Sequence, residues 1–309
     1  MAIKVWDYLE EYKHEKKEIN SAIKKVLESG KLILGPCVKQ FEEQFAGYCG
    51  VNYGVGVNSG TDAIFLGLKS LGIGKGDEVI TVANTAVPTV SAIVSTLATP
   101  RFVDIDPKTF LMDVARIEKV INPRTRCIVA VHLYGQCVNM TEVNRLARKY
   151  NLKVLEDCAQ SHGAKFKGQK CGSMSDVSAF SFYPTKVLGG YGDGGMVLTN
   201  SKALYKKLLR LRFYGMEKTY YSLEQGYNSR LDELHAAILI NKLKHLDGYI
   251  EKRIALAKRY YEYLNALDLI LPTIAPFNKH VFYIYVCRHK KRDHIDKLIK
   301  FFILGNLLK

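Results

Sequence analysis

The sequence predicts an α/β fold with a mainly parallel central sheet flanked by helices. Short apolar runs alternate with helical stretches between about residues 53 and 199, which is the signature of βαβ units around a buried parallel sheet. The 309 residues, 48% hydrophobic and 24% charged, have the composition of a globular chain with one large or two medium domains. Composition and length together argue against a disordered or fibrous protein.

The elements follow in order. A first helix is predicted over residues 15–28 and is ended by Ser29-Gly30. The loop LILGPCV leads to a second helix over 38–49. Strand-like runs then fall at 53–57, 78–82, 100–104, 127–131, 153–156, 177–182 and 196–199. Helical stretches between them fall at 61–71, 87–97, 114–121 and 140–150. After Asn200 the pattern turns helical, at 202–213, 229–252 and 254–267, followed by a short strand at 281–287 and a basic helix from Arg292. A boundary is expected at 248/249, giving a large domain over 1–248 and a small α/β domain over 249–309.

The net charge of +15 invites a nucleic-acid reading. Its distribution weakens that reading: from Lys202 onward there are 21 Lys and Arg against 10 Asp and Glu, spread singly and in pairs along helical segments. No RNP, zinc-finger or basic-zipper pattern is present. Attraction of anionic small substrates is the functional use such a surface would have. The seven cysteines are scattered and never spaced as CxxC, so neither a disulfide framework nor a structural zinc site is expected. The histidines lack ligand spacing, and no metal is expected. No apolar run is long enough to span a bilayer and the first twenty residues are charged throughout, so a cytoplasmic location without membrane association is expected.

In an open α/β sheet, ligands bind outside the carboxyl ends of the strands. Three segments lie there. Asn58-Ser59-Gly60-Thr61-Asp62 joins the strand YGVGV to a helix, and a glycine turn feeding a helix N-terminus offers free N–H groups and hydroxyl donors to a phosphate. Ser59 or Thr61 would serve equally as a helix cap. Glu156-Asp157 ends the strand KVL, and adjacent carboxylates on a strand point to opposite sides of it. One of them can face the strand-end crevice, where it would hold a proton on a basic ring nitrogen; alternatively, Asp157 starts a turn. Lys186 follows the strand at 177–182 and precedes the run GGYGDGG. Desolvation there favours a neutral, nucleophilic amine able to form a Schiff base, and Ser181, five residues earlier, is a phosphate ligand candidate. A surface lysine before a glycine hairpin is the alternative. Phosphate donors, a carboxylate and a lysine, all at strand ends, are what pyridoxal phosphate (PLP) requires.

The order NSGTDA, EDCAQSHG, SFYPTKVLGGYGDGG and GYNSRLDELHAAIL resembles the DegT/StrS-type sugar aminotransferases over residues 31–292. The resemblance implies a fold-type I PLP-dependent transferase, related in fold to aspartate aminotransferase. It implies Lys186 as the Schiff-base lysine, Asp157 against the pyridinium nitrogen, Gln160 on the ring hydroxyl, and Gly60, Thr61 and Ser181 on the phosphate. Asn228 is implied to reach the phosphate of a neighbouring subunit, which implies a homodimer with shared active sites. His162, Tyr183 and Arg230 are further candidates for substrate contact. The implied reaction moves the amino group of L-glutamate to a keto group of a nucleotide-linked sugar.

The segments NTAVPTVSAI and YGMEKTYYSLEQGYNSRLDEL resemble members that aminate C3 of dTDP-3-keto-6-deoxyhexoses, for deoxyamino sugars of surface polysaccharides and similar glycoconjugates. Amination at C4 of a UDP- or GDP-linked 4-keto sugar is the alternative. A dehydratase of this scaffold typically has histidine at the lysine position, and Lys186 argues against it.

Two departures stand out. Many members stack an aromatic on the cofactor ring where this chain has Ala86, so His162 or another side chain is expected to cover the ring, or the stacking is weaker. Members usually continue for several tens of residues beyond HVFYIYVCRHKKRDHIDKLIK, whereas this sequence ends in KFFILGNLLK. A shortened small domain is therefore expected, with an inactive PLP-binding protein as the alternative to an active enzyme.

Overall fold

The computed structural model of the chain describes residues 8–294. Along the chain come α1 (Tyr8–Ser29), α2 (Pro36–Cys49), β1 (Tyr53–Val57), α3 (Gly60–Ser70), β2 (Glu78–Val82), α4 (Val87–Ser95) and β3 (Thr99–Val103). After a single 3-10 turn follow α5 (Ile117–Val120), β4 (Thr125–Val131), α6 (Met140–Tyr150), β5 (Lys153–Asp157), the hairpin β6 (Lys165–Phe166) and β7 (Gln169–Lys170), β8 (Val177–Ser181) and β9 (Gly195–Thr199). The remainder comprises α7 (Lys202–Leu211), β10 (Met216–Lys218), β11 (Tyr221–Ser222), α8 (Glu233–Leu243), α9 (Leu246–Leu264) and β12 (Asn278–Lys279).

Seven strands form one sheet in the order β1-β9-β8-β5-β4-β2-β3. The pairs β8–β5, β5–β4, β4–β2 and β2–β3 are parallel, and β9 runs antiparallel to both its neighbours. Strands β2, β8 and β9 are buried along their whole length. Helices on both faces explain why these strands read as apolar runs rather than alternating ones.

The motif NSRLDE supplies two of the caps that hold the helices. Asp232 caps α8 by accepting from the His235 amide at 2.8 Å. Glu233 reaches across to the start of α2 and accepts from the amides of Gly35, Cys37 and Val38 at 2.9, 2.8 and 2.7 Å. It satisfies donors that a helix N-terminus otherwise leaves unpaired; Gly35, at the cap position, has no side chain to do so.

Two expectations of individual elements are corrected. The helix expected over 229–252 starts at Glu233, ends at Leu243 and restarts as α9 at Leu246. The boundary at 248/249 thus falls inside one continuous helix. The strand expected over 281–287 is absent among the described residues. Its backbone goes to the large body instead: the Val281 amide donates to the Gly135 carbonyl at 2.8 Å, and Phe282 turns at φ 47°. Nor do described residues beyond α9 build a separate sheet. β12 pairs with β6, and the Cys137 amide donates to Asn278 Oδ1 at 2.7 Å. The helix expected from Arg292 and the ending KFFILGNLLK lie wholly or almost wholly outside the described residues. Among the described residues, no helix is long and apolar enough to cross a membrane.

Candidate active site

The carboxyl ends of β4, β5 and β8, the N-terminus of α3 and the start of α4 surround a cavity of about 330 Å³. Gly60, Thr61, Asp157, Gln160, Ser181, Tyr183 and Lys186 all line it, with Ser59, Thr85, Ala86 and Thr89. Seven of the ten residues singled out from the sequence are therefore brought to one place by strand ends far apart in the chain.

At the floor, Asp157 is almost wholly buried. Its Oδ2 accepts from Thr89 Oγ1 at 2.8 Å, and Thr85 Oγ1 lies 2.8 Å from the same hydroxyl. Its Oδ1 accepts from the Ala159 amide at 3.1 Å. Burial pushes the Asp157 carboxyl above its ordinary range; these hydrogen bonds and the charges of Lys186 and His132 offset part of that rise. Gln160 Oε1 accepts from the Tyr134 amide at 2.8 Å, which turns the amide nitrogen into the remaining donor.

At the phosphate-like end, Ser59 caps α3 by accepting from the Asp62 amide at 3.1 Å. Ser59 is thus a helix cap, and it lines the cavity together with Gly60 and Thr61. Gly60 packs so closely that a Cβ would lie 2.5 Å from the Ser181 Cβ, so only glycine lets the helix start approach the end of β8. Ser229 ties the NSR segment to this loop, donating to Asp62 Oδ2 at 2.7 Å and accepting from the Asn58 amide at 3.1 Å.

Glu156 points away from Asp157, as strand alternation requires. It accepts from the amides of Gly172 and Met174 and from Ser175 Oγ, each at 2.8 Å. The Val138 amide donates to His132 Nδ1 at 3.2 Å, so Nε2 carries the proton and meets Glu156 Oε1 at 3.0 Å. Burial disfavours charge on His132, but Glu156 outweighs it and holds the imidazole above its ordinary pKa. His132, Glu156 and Cys158 stand close enough to ligate a metal, yet both imidazole nitrogens and both carboxylate oxygens are already engaged.

Three residues lie elsewhere. The reading of His162 as a substrate contact or ring cover is corrected: it is fully buried among Phe45, Phe180 and Phe182, with neither ring nitrogen hydrogen-bonded. Burial pulls its pKa down to about 4. Arg230 stacks its guanidinium on Phe213 and Tyr214, 5.3 and 5.9 Å from the ring centroids, and does not line the cavity. Asn228 is exposed outside it. Ala86 lines the cavity without an aromatic in its place. Sequence reasoning missed Thr89, Thr85 and Tyr283; only the TAVPT run hinted at the first two.

The donor set fits PLP. A buried carboxylate suits a ring N–H, the Gly60 cradle and the α3 amides suit a phosphate, and a lysine lines the same cavity. The fold and this cavity define a fold-type I, PLP-dependent aminotransferase. Residues 13–305 match the DegT/DnrJ/EryC1/StrS aminotransferase family, and the chain belongs to it.

Among its relatives, the dTDP-3-amino-3,4,6-trideoxy-alpha-D-glucose transaminase of Micromonospora megalomicea subsp. nigra is 51% identical over 97% of this chain and 82% of its own length. The dTDP-3-amino-3,6-dideoxy-alpha-D-galactopyranose transaminase of Aneurinibacillus thermoaerophilus is 47% identical over 90% of this chain and 76% of its own. The crystal structure of S. venezuelae DesV superposes with a TM-score of 0.91 at 42% identity, covering 93% of this chain and 78% of that one.

Proposed function

We propose that this chain transfers the amino group of L-glutamate to C3 of a dTDP-linked 3-keto-6-deoxyhexose. The observation that carries the reading is the meeting of Asp157 and Lys186 in one cavity beside the start of α3. The sugar class rests on the similarity to the two dTDP-3-amino sugar transaminases. Their named sugars differ at C4, which is deoxygenated in the first and galacto-configured in the second, so both frameworks are candidates.

Bound PLP supplies an electron sink that lets an amine-bearing carbon lose its proton. Asp157, kept in place by Thr89 and the Ala159 amide, holds a proton on the ring nitrogen. The Gln160 amide, its oxygen fixed by the Tyr134 N–H, donates to the ring hydroxyl. Gly60, Thr61 and Ser181, which line the cavity, would hold the phosphate. The Lys186 amine would hold the cofactor and, when free, would move the proton as general base and acid. Tyr183, half-exposed at the cavity, contacts substrate. Asn228, exposed and outside its own cavity, reaches the phosphate site of a second copy in a homodimer. Arg230, tied to Phe213 and Tyr214, positions that segment.

The test is a screen of keto sugars with the PLP-loaded protein and L-glutamate, followed by formation of 2-oxoglutarate. Turnover with a dTDP-3-keto-6-deoxyhexose, and not with UDP- or GDP-linked 4-keto sugars, is expected. The reverse preference overturns the C3 assignment.

A further inference from the structure

The segment beyond α9 returns to the loop after β8 and delivers a side chain to the Lys186 amine. The Val281 amide donates to the Gly135 carbonyl at 2.8 Å and the Ile284 amide to the Tyr134 carbonyl at 3.5 Å. From α9, Arg253 Nη1 donates to the Tyr283 carbonyl at 3.3 Å. Gly135 sits at φ 112°, and a Cβ there would lie 2.9 Å from the Tyr283 nitrogen, so the crossing is closed by glycine. The strap so fixed places the Tyr283 hydroxyl 3.2 Å from Thr185 Oγ1 and 3.5 Å from Lys186 Nζ. The same Nζ lies 4.7 Å from the Tyr283 ring centroid. The Tyr283 hydroxyl is a hydrogen-bond acceptor for the Lys186 amine.

We propose that Tyr283 is a positioning residue for the Lys186 amine, holding it at the cavity whenever it is not joined to the cofactor. This rests on the reading of Lys186 as the amine that carries PLP and then moves the proton. A free lysine side chain samples many rotamers. A group that must take a proton from one atom and give it to another gains when that freedom is removed beforehand. The phenol oxygen accepts from the amine, and its second contact, with Thr185 Oγ1, helps to hold the hydroxyl in place.

The test compares wild type, Tyr283→Phe and Thr185→Val in two measurements. In the cofactor-free protein, Lys186 is labelled by reductive methylation with formaldehyde and quantified by peptide mass. In the PLP-loaded protein, the first half-reaction with L-glutamate is followed to separate its limiting rate from its half-saturation. Loss of one hydrogen bond should speed Lys186 labelling about threefold in Tyr283→Phe, and the limiting rate should fall about tenfold with half-saturation unchanged. Thr185→Val, which leaves every backbone stitch of the strap in place, should move both in the same direction by less, and it decides the matter if Tyr283→Phe does not fold. Wild-type labelling and wild-type rate in folded variants would overturn the proposal. So would a change confined to half-saturation, which would make Tyr283 a glutamate contact. Failure of the wild type to take up PLP would instead sink the functional reading, and the labelling comparison would still report on the Tyr283–Lys186 contact.

Discussion

Replacing Thr89 by valine removes one hydroxyl from a buried site and keeps the side-chain shape. The hydroxyl donates to Asp157 Oδ2 at 2.8 Å, and both residues are nearly inaccessible to solvent. A hydrogen bond to a buried charged group contributes about 2 kcal/mol, which for a chain of this size corresponds to about 3 °C in Tm. The effect depends on pH in a definite direction. Burial raises the Asp157 pKa in the fold, so the stabilisation tied to that raised pKa is present in acid and lost as pH rises through the folded titration point. The Thr89 bond acts mainly on the ionised form. The penalty of Thr89→Val should therefore be largest above that point and shrink as pH falls through it. Thermal unfolding of the cofactor-free protein at neutral and acidic pH, with Thr89→Ser as the hydroxyl-retaining control, measures this. A penalty equal at both pH values, or the same loss in Thr89→Ser, would refute the reasoning.

Three more outcomes follow from the same geometry. Lys186→Ala should still bind PLP but without the visible band of the lysine-linked cofactor, and should release no 2-oxoglutarate from L-glutamate; absorbance and a coupled assay read both. Gly60→Ala would place a Cβ 2.5 Å from the Ser181 Cβ, and the resulting shift should weaken PLP binding by about tenfold or more, as overpacking costs of about 1–3 kcal/mol imply; a cofactor titration checks it. Glu233→Ala would leave the Gly35, Cys37 and Val38 amides without their acceptor and should cost about 3 kcal/mol in denaturant unfolding, with little change in PLP affinity.

The strands were legible because a parallel sheet covered on both faces writes itself as apolar runs; β1 and β2 fall at the expected bounds. The cavity was legible because its residues sit where those runs end. What failed involved contacts that local pattern does not encode. His162 stands two residues beyond Gln160, but the turn at Gly163 sends it among Phe45, Phe180 and Phe182. Residues 281–287 have β-rich composition, yet their amides find partners on a loop rather than a sheet edge. No glycine or proline marks the break between α8 and α9 at Lys244-His245. Thr89 and Tyr283 reach Asp157 and Lys186 across 68 and 97 positions of sequence, and nothing in either segment names its partner.

The most direct measurement is the visible absorption spectrum of the purified protein with PLP, before and after excess L-glutamate. If Lys186 carries the cofactor opposite Asp157, a band of the lysine-linked form appears and bleaches to the amine form on addition of glutamate, in wild type and not in Lys186→Ala. Folded wild-type protein that shows no such band, or the same band in Lys186→Ala, contradicts the assignment of this cavity.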